Sequence, residues 1–228
     1  MYVYVDVDGT IAGRNPYVFQ KVCIRMFGLE IDPIPHLPYR EFLQLPELLA
    51  YQQHIGEAEF KRQLVWADLD PESLIKSTVL PHAREGISQL SNIPASIGYC
   101  TGRYTASPEW FSRNEGMAEA TKDWLDANNF VNPAEVIFCR DKLMTLWEQH
   151  EKEGLVVLID DQYEKLLQRF ALLEQKDSLK NWLRMHFILV AYGTEDFPPD
   201  SYGLGLRVFP LLSWKHVDVL FEYLQGLQ

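Results

Sequence analysis

Asp6 and Asp8 stand one residue apart near the start of the chain, with Gly9 and Thr10 directly behind them. The preceding Tyr2–Val5 reads as a short buried strand. Alternate residues of extended chain point the same way, so both carboxylates can reach one site. Gly9 permits a sharp turn after them. Three further polar clusters also follow apolar segments. Thr101-Gly102-Arg103 follows Ser96–Cys100, Lys142 comes shortly after Glu135–Cys139, and Asp160-Asp161 follows Leu155–Ile159. A hydroxyl beside open backbone N–H groups, as at Thr101 and Gly102, can hold an anionic oxygen. Carboxylates gathered at one point repel each other, and such a cluster persists when a divalent cation neutralises it. Ligation by oxygen alone suits Mg²⁺. The chemistry this allows is phosphate-ester cleavage. Asp6 would attack phosphorus to give an aspartyl-phosphate, and Asp8 would protonate the leaving oxygen and then activate water. Mg²⁺ and Lys142 would balance the phosphoryl charge and Thr101 would help hold the group, with Arg140 competing with Lys142 as the cation. Arg14 and Asn15 after the first cluster, and Arg103 and Tyr104 after the second, are candidates for contact with the rest of the substrate, with plain surface loop as the favoured reading of both pairs.

These clusters can act together only if the strands before them lie side by side. The five apolar segments, the last being Phe187–Ala191, alternate with helical patterns. Ala83, Ile87 and Leu90 share one helical face, as do Met117, Trp124 and Leu125; Leu143, Trp147 and His150; and Leu166, Phe170 and Leu173. The tail offers Trp214, Val217, Phe221 and Leu224, with Ser213 as N-cap. Continuous short strands separated by helices predict an α/β fold, a doubly wound parallel sheet of Rossmann-like type. Ligands of such sheets bind outside the carboxyl ends of the strands. About 90 residues separate Asp6 from Ser96, far more than one crossover helix requires. Helical stretches at Pro16–Phe27, Glu41–Gln53 and Glu57–Ala67 fill that interval, punctuated by Pro33, Pro35, Pro38 and Pro46. The expected organisation is a core domain of residues 1–12 and 81–228, with residues 13–80 as a helical insert over the strand ends.

Composition narrows the partners. At 228 residues, 47% hydrophobic and 23% charged, the chain can bury a core without disulfide staples. A formal net charge of −11 argues against a nucleic-acid polymer or an anionic membrane as partner. A small phosphorylated metabolite remains compatible, because one metal ion reverses the sign of one pocket. Cys23, Cys100 and Cys139 are odd in number and widely spaced, which reads as reduced, buried thiols. The scattered histidines form no ligand pair, so no zinc is expected. No basic leader and no apolar run of spanning length is visible, which predicts a cytoplasmic protein.

D-V-D-G-T, the strand-terminal T-G-R, Lys142 and I-D-D resemble, in order, the four motifs of haloacid dehalogenase-like (HAD) phosphatases. Residues 13–80 fall where that family carries a mobile helical cap. The resemblance implies the HAD fold, Asp6 as nucleophile and Asp8 as general acid and base. It implies Mg²⁺ held by the Asp6 carboxylate, the Asp8 backbone carbonyl and one aspartate of the fourth motif, Asp160 in preference to Asp161. Thr101, Gly102 and Lys142 would bind the phosphoryl group. V-I-F-C-R-D-K followed by V-V-L-I-D-D is similar to the deoxyribonucleotidase branch, which puts a nucleotide among the candidate substrates. His82 in L-P-H-A-R-E-G stands where many relatives carry glycine. Each motif alone has a plainer reading. Asp-Gly turns are common, Thr101-Gly102-Arg103 can be an ordinary turn, and Asp160-Asp161 can cap a helix starting near Gln162. Four in order, each at a strand end, select the chemistry. A phosphotransferase or mutase would use the same motifs, differing in whether water reaches the intermediate. A non-catalytic phosphometabolite-binding protein on this scaffold would be expected to lack Asp6, Asp8 or Lys142. Substrate identity and oligomeric state leave no mark in the sequence.

Overall fold

A computed structural model describes residues 1–103, 116–152, 154–174, 177–196 and 203–227; Tyr104 lies outside them. The strands are β1 (Tyr2–Val5), β2 (Ala12–Gly13), β3 (Thr78–Val79), β4 (Ser96–Thr101), β5 (Val136–Phe138), β6 (Val156–Asp160), β7 (Phe187–Tyr192) and β8 (Arg207–Leu211). The helices of the first part are α1 (Pro16–Phe27), α2 (Tyr39–Phe42), α3 (Pro46–Ile55), α4 (Glu57–Asp68) and α5 (Pro71–Ile75). Those of the second are α6 (Ala83–Leu90), α7 (Met117–Ala127), α8 (Lys142–His150), α9 (Tyr163–Ala171), α10 (Ser178–His186) and α11 (Val217–Gln225). Among the described residues the chain forms two compact units. One holds residues 1–12, 79–103 and 125–227, and the other holds residues 13–78 and 116–124.

The first unit is a doubly wound, Rossmann-like α/β domain. Its sheet runs β5-β4-β1-β6-β7-β8, and every described neighbour pair is parallel. Parallel strands covered on both faces need no polar alternation, and Val156–Asp160 is buried at every position. Val156 and Leu158 join Leu143 and Leu146 of α8, Leu167 and Phe170 of α9, and Trp182 and Leu183 of α10 in one core cluster. Val157 and Ile159 point to the opposite face and are equally buried. From β1 the chain builds outward through β4 and β5, then returns to the other side of β1 for β6 to β8. The order therefore reverses at β1, and the crevice beyond its carboxyl end is where such sheets bind ligands.

Two elements of this unit escape sequence periodicity. β8 contains Pro210, which suits only a sheet edge, and β8 is an edge strand. α10 carries Lys180 on its buried face, where the Nζ donates to the Leu173 carbonyl at 2.8 Å above the Phe170 ring. Ser213 does not cap α11 as expected. A single 3₁₀ turn, Trp214–His216, intervenes, and the Ser213 hydroxyl bonds the His216 ring instead. His82 opens α6 with φ +61°, a left-handed conformation that glycine adopts more easily. The three cysteines are free and buried, as their spacing predicts.

The second unit is helical. Phe19, Val22, Cys23 and Phe27 of α1 pack with Phe42, Leu48, Phe60 and Leu64 of α2, α3 and α4. The helix expected at Glu41–Gln53 is broken. Pro46 has no N–H to donate and forces Leu45 into extended backbone (ψ 139°), so α2 stops and α3 restarts at the proline. Residues 116–124 belong to this unit, although the motif spacing assigns all of 81–228 to the core. Met117 and Ala120 pack with Leu69 and Leu74, a contact between distant segments that no local pattern announces.

Arg14 and Asn15 have structural partners here. Asn15 is the N-cap of α1, its side-chain oxygen accepting the Val18 N–H at 3.3 Å. Arg14 donates to both Asp68 oxygens at 2.7 and 2.6 Å and lies over the Tyr39 and Phe19 rings. Asn15→Ala is therefore expected to cost about 1 kcal/mol of stability, the usual worth of an N-cap. Urea unfolding with an unchanged m value measures it, and a stability equal to wild type would show that the cap contributes nothing.

Candidate functional site

The first unit places the four clusters at one end of the sheet. Asp6 directly follows β1, and its N–H donates to Ile159 O of β6 at 2.9 Å. Its side chain is 4% exposed. Behind it the chain folds back sharply, with Gly9 N–H on Ala12 O at 2.9 Å and Ala12 N–H on Val7 O at 2.8 Å. Gly9 has φ +79°, and a Cβ there would lie 2.2 Å from Asp161 Oδ2. Backbone conformation and close approach therefore both demand glycine at this turn. Thr10 completes it. Its hydroxyl donates to Asp161 Oδ1 at 3.3 Å and accepts the Asp161 N–H at 3.1 Å, while Trp214 Nε1 donates to its carbonyl at 2.6 Å. The first and fourth motifs are thus pinned together by a residue with no charge.

Lys142 is the hub. Asp141 caps α8 by accepting the Met144 N–H, which sets Lys142 as the first helical residue. Arg169 of α9 donates to the other Asp141 oxygen at 2.9 Å and braces that cap. From there the ammonium reaches Asp160 Oδ2 at 2.6 Å and Asp6 Oδ1 at 2.8 Å. The contact to Asp160 is a hydrogen bond. The contact to Asp6 is a close ion pair without good hydrogen-bond alignment, and among the described residues Asp6 Oδ1 has no aligned donor. Arg140, the competing cation, is exposed.

The charges here are under strain. Burial is the largest influence on Asp6; Lys142 opposes it and Asp160 adds to it, and the pKa is pushed up to about 8. Burial works against the Lys142 ammonium, yet Asp6 and Asp160 overcome it and hold the group above the ordinary lysine value. Asp161 is raised by burial and by Asp160, against Lys142 and the Thr10 hydroxyl. Asp6, Asp160 and Asp161 each offer an oxygen within 4.8 Å of the others. Three carboxylates and one ammonium leave negative charge in excess, and with a buried Asp6 oxygen that lacks an aligned donor this set fits a small hard cation. Asp6 and one or both of Asp160 and Asp161 would hold it. Asp160 Oδ1 already accepts the Gln162 N–H at 2.7 Å, as a residue preceding a helix does.

Thr101 ends β4, fully buried, and its hydroxyl accepts the Arg103 N–H at 3.3 Å. Among the described residues a Cβ on Gly102 would meet nothing within 4 Å. Arg103, expected to reach outward, is turned inward onto Asp8. Its Nε and Nη2 donate to the two Asp8 oxygens at 2.8 and 2.7 Å, and its side chain is wholly buried. The signal for this pairing is absent from the sequence, because 95 positions separate the two residues and only the β1–β4 pairing joins their loops. Arg169 and Trp214 are likewise supports that the motifs do not mark, and the bonds of Thr10 and Asp141 do not follow from their places in the motif strings.

No protein-family model and no curated protein matches the sequence. Among solved structures the chain is similar to a haloacid dehalogenase-like hydrolase from Burkholderia xenovorans, at 15% identity over 98% of this chain and 97% of that one, with a TM-score of 0.46. It is similar to a HAD family hydrolase from Deinococcus radiodurans solved with bound phosphate and sodium, at 13% identity over 99% and 96%, TM-score 0.45. A HAD-superfamily hydrolase from Ehrlichia chaffeensis is similar at 9% identity over 98% and 96%, TM-score 0.48. Likenesses this distant carry no argument about chemistry, which rests on the residues of the site.

Proposed function

We propose that this chain is a Mg²⁺-dependent HAD-like phosphohydrolase that cleaves a small phosphomonoester through a covalent intermediate on Asp6. The observation that carries the reading is the convergence of Asp6, Asp160 and Asp161, the first two paired with Lys142, at the reversal point of a parallel sheet. A bound Mg²⁺ supplies the positive charge that offsets these carboxylates and the phosphoryl oxygens. Lys142 and the Thr101 hydroxyl orient the phosphoryl group, with Gly102 next in the chain. An Asp6 oxygen bonds phosphorus as the ester P–O bond breaks, and Asp8 gives its proton to the leaving oxygen. Asp8 then takes a proton from water as that water's oxygen displaces the Asp6 carboxylate from phosphorus. The Asp8 side chain is 51% exposed, which gives water access to the base and favours hydrolysis over transfer to a second substrate. Among the described residues no helix is long and apolar enough to cross a membrane, and a net charge of −11 suits small anions only at a metal-bearing pocket. We assign choice among phosphorylated metabolites to the helical insert of residues 13–80.

Asp8→Asn tests this reading. The nucleophile remains, so an aryl phosphate with a good leaving group still phosphorylates Asp6, while hydrolysis of the intermediate stalls for want of a base. Steady-state turnover is expected to fall about 10²- to 10⁴-fold. Rapid quench with labelled ester should find phosphate on the protein. Wild-type turnover by Asp8→Asn would remove Asp8 from the chemistry.

A further inference from the structure

Arg103 follows the second motif and invites a substrate-binding role, yet its geometry points elsewhere. We infer that Arg103 is a positioning residue that aims the Asp8 carboxylate for proton transfer, an inference that rests on the phosphohydrolase reading above. Asp8 sits on the turn after β1 with half its side chain in solvent. A carboxylate there, left to itself, samples several staggered rotamers. Two parallel hydrogen bonds from one planar guanidinium, to both oxygens, remove that freedom and set the plane of the group. The clamp is itself immobile, because the Arg103 side chain has 0% exposure.

The backbone explains how the clamp reaches its target. β1 pairs with β4 so that Val5 lies opposite Tyr99. Asp8 and Arg103 stand three and four residues beyond that rung, on neighbouring loops. The Arg103 N–H is bonded to the Thr101 hydroxyl, so the clamp and the candidate phosphate-binding hydroxyl share one short segment. A buried guanidinium already forked onto a carboxylate is poorly placed to bind substrate. It is well placed to hold an oxygen of Asp8 at the 2.6–3.2 Å from a reacting oxygen that proton transfer needs.

Loss of the clamp therefore misdirects the Asp8 carboxylate, above all as the base that activates water, while leaving Asp6, Thr101 and Lys142 in place. It should behave as a partial loss of Asp8. A double-mutant cycle reads this directly: wild type, Asp8→Asn, Arg103→Met, and the two together, with Arg103→Lys alongside, each assayed on one aryl phosphate and each melted. Arg103→Met is expected to lower kcat about 30-fold with KM within about twofold, and rapid quench should find label held on Asp6. In the Asp8→Asn background the same change should cost less than about threefold, because the group it aims is already disabled. Arg103→Lys, with one point donor in place of a fork, should recover part of the loss. If Arg103→Met does not fold, Arg103→Lys carries the cycle. A KM raised more than about tenfold, or losses that multiply in the double variant, would make Arg103 a substrate ligand and overturn the inference. So would a kcat loss that merely follows a lowered melting temperature in every Arg103 variant. Failure of the underlying reading looks different: wild type without ester hydrolysis, or Asp8→Asn as active as wild type, removes the function and this inference with it.

Discussion

Asp6→Asn is expected to abolish turnover, by about four orders of magnitude or more, in a protein that folds as well as wild type or better. An amide nitrogen cannot supply the carboxylate oxygen that bonds phosphorus, and the variant also loses a candidate metal ligand. The stability half of the expectation follows from burial. Asp6 is 3% exposed, and its pKa is pushed up to about 8, so the metal-free site already favours the neutral acid near pH 7. Asparagine has nearly the same shape and no charge, so it mimics that acid. Lys142 keeps its 2.6 Å bond to Asp160, and no buried cation is orphaned. Steady-state assays with an aryl phosphate and a thermal melt in chelator measure both halves. Hydrolysis within tenfold of wild type by the folded variant would remove Asp6 as nucleophile.

The placement of the candidate site was legible in the sequence where polar or charged residues and strand ends coincide. Asp6, Thr101, Lys142 and Asp160 each follow an apolar segment of strand length, and a parallel sheet brings such ends together without further information. The supports were not legible. Thr10 pins Asp161 by two hydrogen bonds, Arg169 braces the Asp141 cap beneath Lys142, and Trp214 holds the Thr10 carbonyl, all across 28 or more positions. Arg103 illustrates the difference. Its place after the second motif was visible, whereas its direction depends on which strand lies beside β4. The fold behaves likewise. Five strands and most helices show in periodicity, but β8 carries an edge proline and α10 hides a lysine on its buried face. Pro46 could have divided the stretch 41–53 from sequence alone, since a proline inside a helical pattern ends or restarts it.

Removal of divalent cation is expected to lower turnover about 10³-fold, restored by Mg²⁺ and not by zinc-loading of a structural site. The same site should link metal, pH and stability in a fixed direction. Burial raises Asp6 from its ordinary 3.8 to about 8, and Asp161 is raised as well, so the metal-free folded state holds more protons than the unfolded chain between those values. The stability this contributes is full below about pH 4 and is lost as pH rises through 8. A cation that occupies the carboxylates displaces the Asp6 proton and relieves their repulsion, so it binds more tightly as pH rises. The rise in melting temperature on adding Mg²⁺ should therefore be small at pH 5.5 and grow steadily to about pH 8.5, against a chelated baseline that falls over the same range. Asp6→Asn should flatten both trends, because the proton in question is gone. A Mg²⁺ effect equal at all pH values would detach the metal from Asp6, and full turnover in excess chelator would detach it from catalysis.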